Sequence, residues 1–252
     1  MAALGHKNAE LPAGSNGRTL AIGAGGAGTL AVTHLKALHL SRFGRVRPGA
    51  RFLGFDVMET PPIVSVPGSS ISANLEPGIE YCQIGEGCDP TRLSQMARVA
   101  DGVNPELRRL IDRQPDGRFT KSLQTGTEGE RLYGLLAFTW SVAQVRRAIV
   151  RSLRAINDLR LPGSNGATSA PGVSLQVMIL ASLAGGVGSS IALPLCGEVK
   201  KAMDDLGMDV HRSTFIGVYF TPDCFPETEL RLANAFETLN DLNLAQKEAM
   251  IP

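Results

Sequence analysis

The chain has 252 residues, room for one large domain or two small ones with a sizeable core. A hydrophobic share of 43% marks a globular chain, and a net charge of +1 excludes a global field that would collect nucleic acid or anionic lipid. The four cysteines (Cys82, Cys88, Cys196, Cys224) form no C-x-x-C pair, which argues against a zinc knuckle and for buried thiols in a reducing cytoplasm.

Residues 1–17 carry charges and glycines where a signal peptide needs an apolar run, so they read as a disordered leader. "RTLAIGAGGAGTLAVTHLKALHL" then begins with a short apolar strand at Leu20–Ile22, turns on glycines, and continues with helical spacing to Phe43. "RFLGFD" is a second buried strand ending on Asp56. Met58 to Pro90 is rich in Pro, Gly and Ser and reads as loops, with one short strand around Ile79–Cys82. "PTRLSQMARVA" is a short helix, and "DGVNPELRRLID" a glycine turn with Pro105 in a first helical turn.

"GERLYGLLAFTWSVAQVRRAIVRSLRAIND" is an amphipathic helix. Leu132, Leu135, Leu136, Val142, Val145, Ile149, Leu153 and Ile156 form its apolar stripe, and Arg146, Arg147, Arg151 and Arg154 a solvated side. After the loop "LPGSNGATSAPG" come the strand "VSLQVMIL", a second glycine loop, the helix "SSIALPLCGEVKKAMDDLG", the strand "STFIGVYF", and a last helix from about Glu227. Alternating strand, turn and helix predict an α/β domain with a mostly parallel, Rossmann-like sheet flanked by helices.

Pro171 to Gly197 carries no charge, which raises the question of a membrane span. The glycines at 185, 186 and 188 and Pro194 would break such a helix in mid-bilayer. The segment is therefore a strand, a loop and a helix.

Each glycine loop follows a buried strand and opens a helix, which gathers free backbone N–H groups and a positive helix end at one point. Gly23-Ala24-Gly25-Gly26-Ala27-Gly28 fits G-x-G-x-x-G, the pattern of a dinucleotide site, and alone it is equally a tight structural turn. The dinucleotide reading expects an acid about 20 positions on; Asp56 lies 28 beyond Gly28. That reading leaves the second loop unexplained, whereas two loops converging from parallel strands suit a chain of phosphates. No G-x-x-x-x-G-K-[ST] occurs.

"IGAGGAG", "FLGFD", "DGVNPE", "LAGGVGSS" and "FPETELR" occur in the order and spacing of the nucleotide loops of the tubulin/FtsZ superfamily. The chain resembles its divergent bacterial tubulin-like members over about Arg18 to Leu244, also in "GERLYGLLAF" and "RLANAFETLNDL". The resemblance implies a tubulin-like GTP-binding domain at residues 18–252 that binds GTP or GDP with Mg2+. Gly23, Gly25, Gly26 and Ala27 match its first phosphate loop. Gly185, Gly186, Val187, Gly188 and Ser189 match the signature loop, where backbone amides hold the α- and β-phosphates and the Ser189 hydroxyl adds a contact. Gly102 and Asn104 match the γ-phosphate loop, Asp56 the polar residue beside phosphate and magnesium, Glu227 a ribose carboxylate, and Arg231 a base- or phosphate-side arginine. Asn234 is a guanine contact by the same resemblance; Glu227–Arg231 reads equally as an i,i+4 surface pair and Asn234 as an exposed helix asparagine.

The sequence departs from the family pattern at Val187, which lacks the usual threonine hydroxyl. Ala184 and Ser190 replace glycines, Met58 replaces an acid, and Asp101 puts a negative charge near the γ-phosphate. The family's C-terminal domain and its water-activating acidic loop are not found in these residues. Three expectations follow. The first is a cytoplasmic GTP-binding protein with a cytoskeletal or assembly role and slow or partner-dependent hydrolysis, associating with itself or another tubulin-like subunit. The second is a structural module with a degenerate pocket, and the third an NAD-binding oxidoreductase.

Overall fold

The computed structural model describes residues 17–89, 122–123, 126–158, 175–226 and 228–249. The expected leader up to residue 16, the helix at 90–100, the glycine turn with Asp101, Gly102 and Asn104, the loop at 161–172, and Glu227 lie outside the described residues.

Five strands form one parallel sheet: β1 (Arg18–Ala24), β2 (Ala50–Asp56), β5 (Tyr81–Gln83), β6 (Leu175–Ser182) and β7 (Thr214–Phe220), in the order β5-β2-β1-β6-β7. β1 is longer than Leu20–Ile22 because its pairing with β2 and β6 extends over the flanking residues. β5 starts two residues later than expected, at Tyr81. The Met58–Pro90 stretch is not all loop. β3 (Ile63–Ser65) and β4 (Ser72–Asn74) pair antiparallel around a turn. Only Val64 and Ala73, directly opposite each other, are buried, so each strand offers too short an alternation to stand out in the sequence.

Alternating residues of the central strands face two helical layers. Ala21, Phe52 and Leu180 pack with Val32 of α1 (Gly25–Phe43) on one side. Leu20, Ile22, Leu53 and Phe55 meet α2 (Arg131–Asn157) and α3 (Gly186–Asp205) on the other. The predicted stripe of α2 is the buried face at Leu136, Val145, Ile149, Leu153 and Ile156; Leu132, Leu135 and Val142 flank it half-buried. α1 ends at Gly44, left-handed at φ 69°, whose N–H donates to Leu40 O at 2.8 Å. The last helix, α4 (Glu229–Ala249), starts two residues after the expected point. Among the described residues no helix is long and apolar enough to cross a membrane.

The chain runs from β1 to β2 in one direction across the sheet, and β6 and β7 lie on the other side of β1. The order reverses between β1 and β6, and the crevice outside their carboxyl ends is where open parallel sheets bind ligands.

Candidate functional site

A cavity of about 250 Å³ opens in that crevice. Ala24 ends β1, Asp56 ends β2 and Ser182 ends β6, and all three line it. α1 and α3 both begin at it, through Gly25, Gly26 and Ala27 on one side and Gly185, Gly186, Val187 and Gly188 on the other.

Glycine is required here by backbone packing. A Cβ on Gly28 would stand 2.1 Å from Leu180 O, so α1 can lie against β6 only without one. Gly25 adopts φ +70°, and a Cβ there would meet Gly188 N at 2.6 Å, so the two loops touch backbone to backbone. Neither helix is capped by a side chain. The N-cap residues, Ala24 and Gly185, make no capping bond, and neither first turn holds an acid. Two sets of N-terminal N–H groups and two positive helix ends therefore share one cavity, with no acid in either first turn to neutralise them.

Asp56 is the cavity's buried carboxylate, 7% exposed. Its Oδ1 accepts the Val57 N–H at 2.8 Å. Burial pushes its pKa from 3.8 up to about 6, against the opposing effect of that hydrogen bond. Among the described residues Asp56 has no cationic partner. That donor set fits magnesium as a companion of bound phosphates, since the ion keeps waters and phosphate oxygens beside one or two carboxylates. It does not fit a metal caged by the protein, because no group of three metal-ligating side chains occurs among the described residues.

The other anticipated residues separate into groups. Arg231 lines the cavity, its Nη1 donating to Pro226 O and its guanidinium 5.9 Å from the Phe225 ring. Gly23 is in β1 and outside the lining; a Cβ on it would press on Gly28 O at 2.4 Å. The Ser189 hydroxyl turns back to donate to Gly185 O instead of pointing into the cavity. Asn234 is 4% exposed, not an exposed helix residue. Its Nδ2 donates to Gly129 O at 2.6 Å and Ala184 O at 3.1 Å, outside the lining. Gly186 does not occupy a left-handed conformation. A Cβ on it would meet Thr127 Oγ1 at 2.4 Å and Glu130 O at 2.7 Å, so it is a packing glycine.

Gly126, Thr127, Ser182 and Phe225 also line the cavity and were not anticipated. The signal for the first two is the G-T-E-G run before α2. Gly126 and Gly129 have φ of 94° and 85°, and Glu128 between them, at φ 49°, is the one left-handed non-glycine among the described residues. A left-handed non-glycine persists only where the surrounding structure holds it, and this loop brings Gly126 and Thr127 to the cavity wall.

A family model described as "Tubulin like" matches residues 20–251. No curated protein matches the chain.

Proposed function

Because the chain belongs to the tubulin-like family, we propose that this domain binds a guanine nucleotide, GTP or GDP, with magnesium. The observation that carries the reading is the convergence of two uncapped, acid-free helix N-termini on one glycine-walled cavity. Backbone N–H groups of Gly26, Ala27, Gly186, Val187 and Gly188 would hold phosphate oxygens, and the absence of Cβ atoms at the glycines leaves room for close approach. Asp56 would face the magnesium that accompanies the phosphates. Arg231 and Phe225 would flank the nucleoside end or the outer phosphate. Gly102, Asn104 and Glu227 complete the site by their resemblance alone.

The role in the cell that this reading supports is assembly with copies of itself or another tubulin-like subunit, in the cytoplasm, with slow or partner-dependent hydrolysis. Phosphoryl transfer depends on positioning and electrostatic stabilisation of the outer phosphate. Among the described residues that line the cavity there is one carboxylate, Asp56, and no lysine, so these residues provide for binding better than for turnover. A second reading, a structural module with a degenerate pocket, is favoured by Val187, whose apolar side chain stands where the family carries a hydroxyl.

Titration calorimetry of the chain with GTP, GDP, ATP and NAD, each with magnesium and with chelator, tests the proposal. The expected result is one site that prefers guanine nucleotides and tightens with magnesium. Equal or tighter binding of NAD would overturn it, and no binding at all would favour the degenerate pocket.

A further inference from the structure

Away from the glycine cavity, α2 and α3 enclose an open groove of about 980 Å³. Along α2, Val142, Arg146, Val150 and Arg154 stand four residues apart and form one ridge of alternating apolar and basic side chains. Ala143, Arg147 and Arg151 form the adjacent ridge. Among the described residues that line it, the groove presents five cations, the four arginines and Lys201 of α3, against one carboxylate, Glu198.

That carboxylate is already engaged. Glu198 is 6% exposed, accepting from Arg146 Nε at 2.8 Å and from Lys201 Nζ at 3.1 Å. Arg151 donates to Gly78 O at 2.9 Å, a neutral acceptor. Arg147 and Arg154 are exposed and make no ion pair with any described residue. Among the described residues the excess positive charge is therefore local to the groove, in a chain whose net charge is only +1.

We propose that this groove is a docking site for an acidic amphipathic helix of another protein. On α2 successive side chains of this ridge stand about 6 Å apart, so the alternation repeats about every 12 Å and runs for about 18 Å. A partner helix with apolar and carboxylate side chains alternating along its own i,i+4 ridge would match both the half-buried valines and the arginines between them. Nucleic acid fits less well: valines interrupt the cations and no aromatic ring lines the groove for base stacking. A second copy also fits less well. The acids of α4, Glu237 and Asp241, are already paired with Arg131 at 2.9 and 2.5 Å. The site does not depend on the nucleotide reading.

The test is fluorescence anisotropy of the 252-residue chain with a labelled synthetic peptide of about 16 residues, leucine and glutamate alternating on i,i+4 ridges. Controls are a scrambled peptide of the same composition and a single-stranded oligothymidine of similar charge. Binding should weaken about tenfold between about 50 and about 300 mM salt, and about tenfold in Arg147→Glu/Arg154→Glu. The melting temperature of the variant should match the wild type. The neutral pair Arg147→Gln/Arg154→Gln should weaken binding less, and it serves if the reversal disturbs folding. The proposal is overturned by no binding, by scrambled peptide or oligothymidine binding as tightly, or by variants that bind unchanged. Self-association of the chain that the double variant abolishes would assign the groove to a second copy instead.

Discussion

Gly25 and Gly188 meet so closely that a methyl group on Gly25 would stand 2.6 Å from the Gly188 nitrogen. Each belongs to a different glycine loop, one after β1 and one after β6, so the loops are a single interlocked unit. Any substitution that separates them changes the fold before it changes a ligand contact.

Gly25→Ala should therefore lower the melting temperature markedly, because the left-handed φ of +70° and the backbone collision act together. A loss of about 2 kcal/mol or more is expected. Gly186→Val, whose Cβ meets Thr127 and Glu130, should behave alike and is no clean test of binding. Gly185→Val is. Gly185 has an extended backbone at φ −85°, and its nearest neighbour beyond the adjoining residues would be the Ser182 Cβ at 3.9 Å. It should melt near the wild type in chemical denaturation and lose GTP binding in calorimetry. Normal binding by this variant would remove the second loop from the phosphate site.

Asp56 gives the pH dependence. Its folded pKa, raised to about 6, lies above the unfolded value of 3.8, so the native state holds the proton more tightly between those pH values. Stability from this group is present below about pH 4 and falls as pH rises to about 6, by roughly 3 kcal/mol in total. Asp56→Asn should remove that slope and stabilise the nucleotide-free protein at pH 7.5. Magnesium nucleotide should relieve the same penalty, so in wild type the gain in GTP affinity from magnesium should grow between about pH 5 and pH 7. Asp56→Asn should show no such growth. Melting curves and calorimetry across this range check both halves.

The glycine loops were legible in the sequence because close backbone approach leaves glycine no substitute, as at Gly28 against Leu180 O. At Gly186 the close approach is to the protein's own loop at 127–130, whose atoms a Cβ would meet. Sheet and helices were legible from buried runs and the stripe of α2. Val64 and Ala73 were not, since one buried residue per strand leaves no period to read. Thr127 and Phe225 come from turns without periodicity, and only the chain's return to the cavity brings them together with Asp56.

Val187 is 5% exposed, joins the main core cluster and lines the cavity. Val187→Thr exchanges a methyl for a hydroxyl of similar size, which costs the core about 1 kcal/mol. If the nucleotide reading holds, the hydroxyl should tighten GTP binding in magnesium by a few-fold and leave turnover almost unchanged, since it adds a ligand contact and no group that activates water. Calorimetry with magnesium and with chelator, beside phosphate release, separates the two effects. A large rise in turnover would mean that this hydroxyl alone limits hydrolysis.

Asn234 separates a structural tie from a base-reading residue. Its amide nitrogen bonds two carbonyls from different segments, Gly129 ahead of α2 and Ala184 ahead of α3, and so holds α4 against both walls of the cavity. Thr238, one turn further along α4, adds its own bond to Ser189 O at 3.3 Å. Asn234→Ala would leave both carbonyls without this donor, at a cost of about 1–3 kcal/mol for buried polar groups. As a tie, the variant should melt earlier without nucleotide and weaken GTP and ATP by the same factor, because the loops loosen whichever base is bound. As a guanine contact, it should keep its melting temperature and lose the preference for GTP over ATP. The structure predicts the first outcome, measured by thermal denaturation and by paired GTP and ATP titrations. Loss of base preference at unchanged stability would mean that Asn234 turns toward the ligand when nucleotide enters.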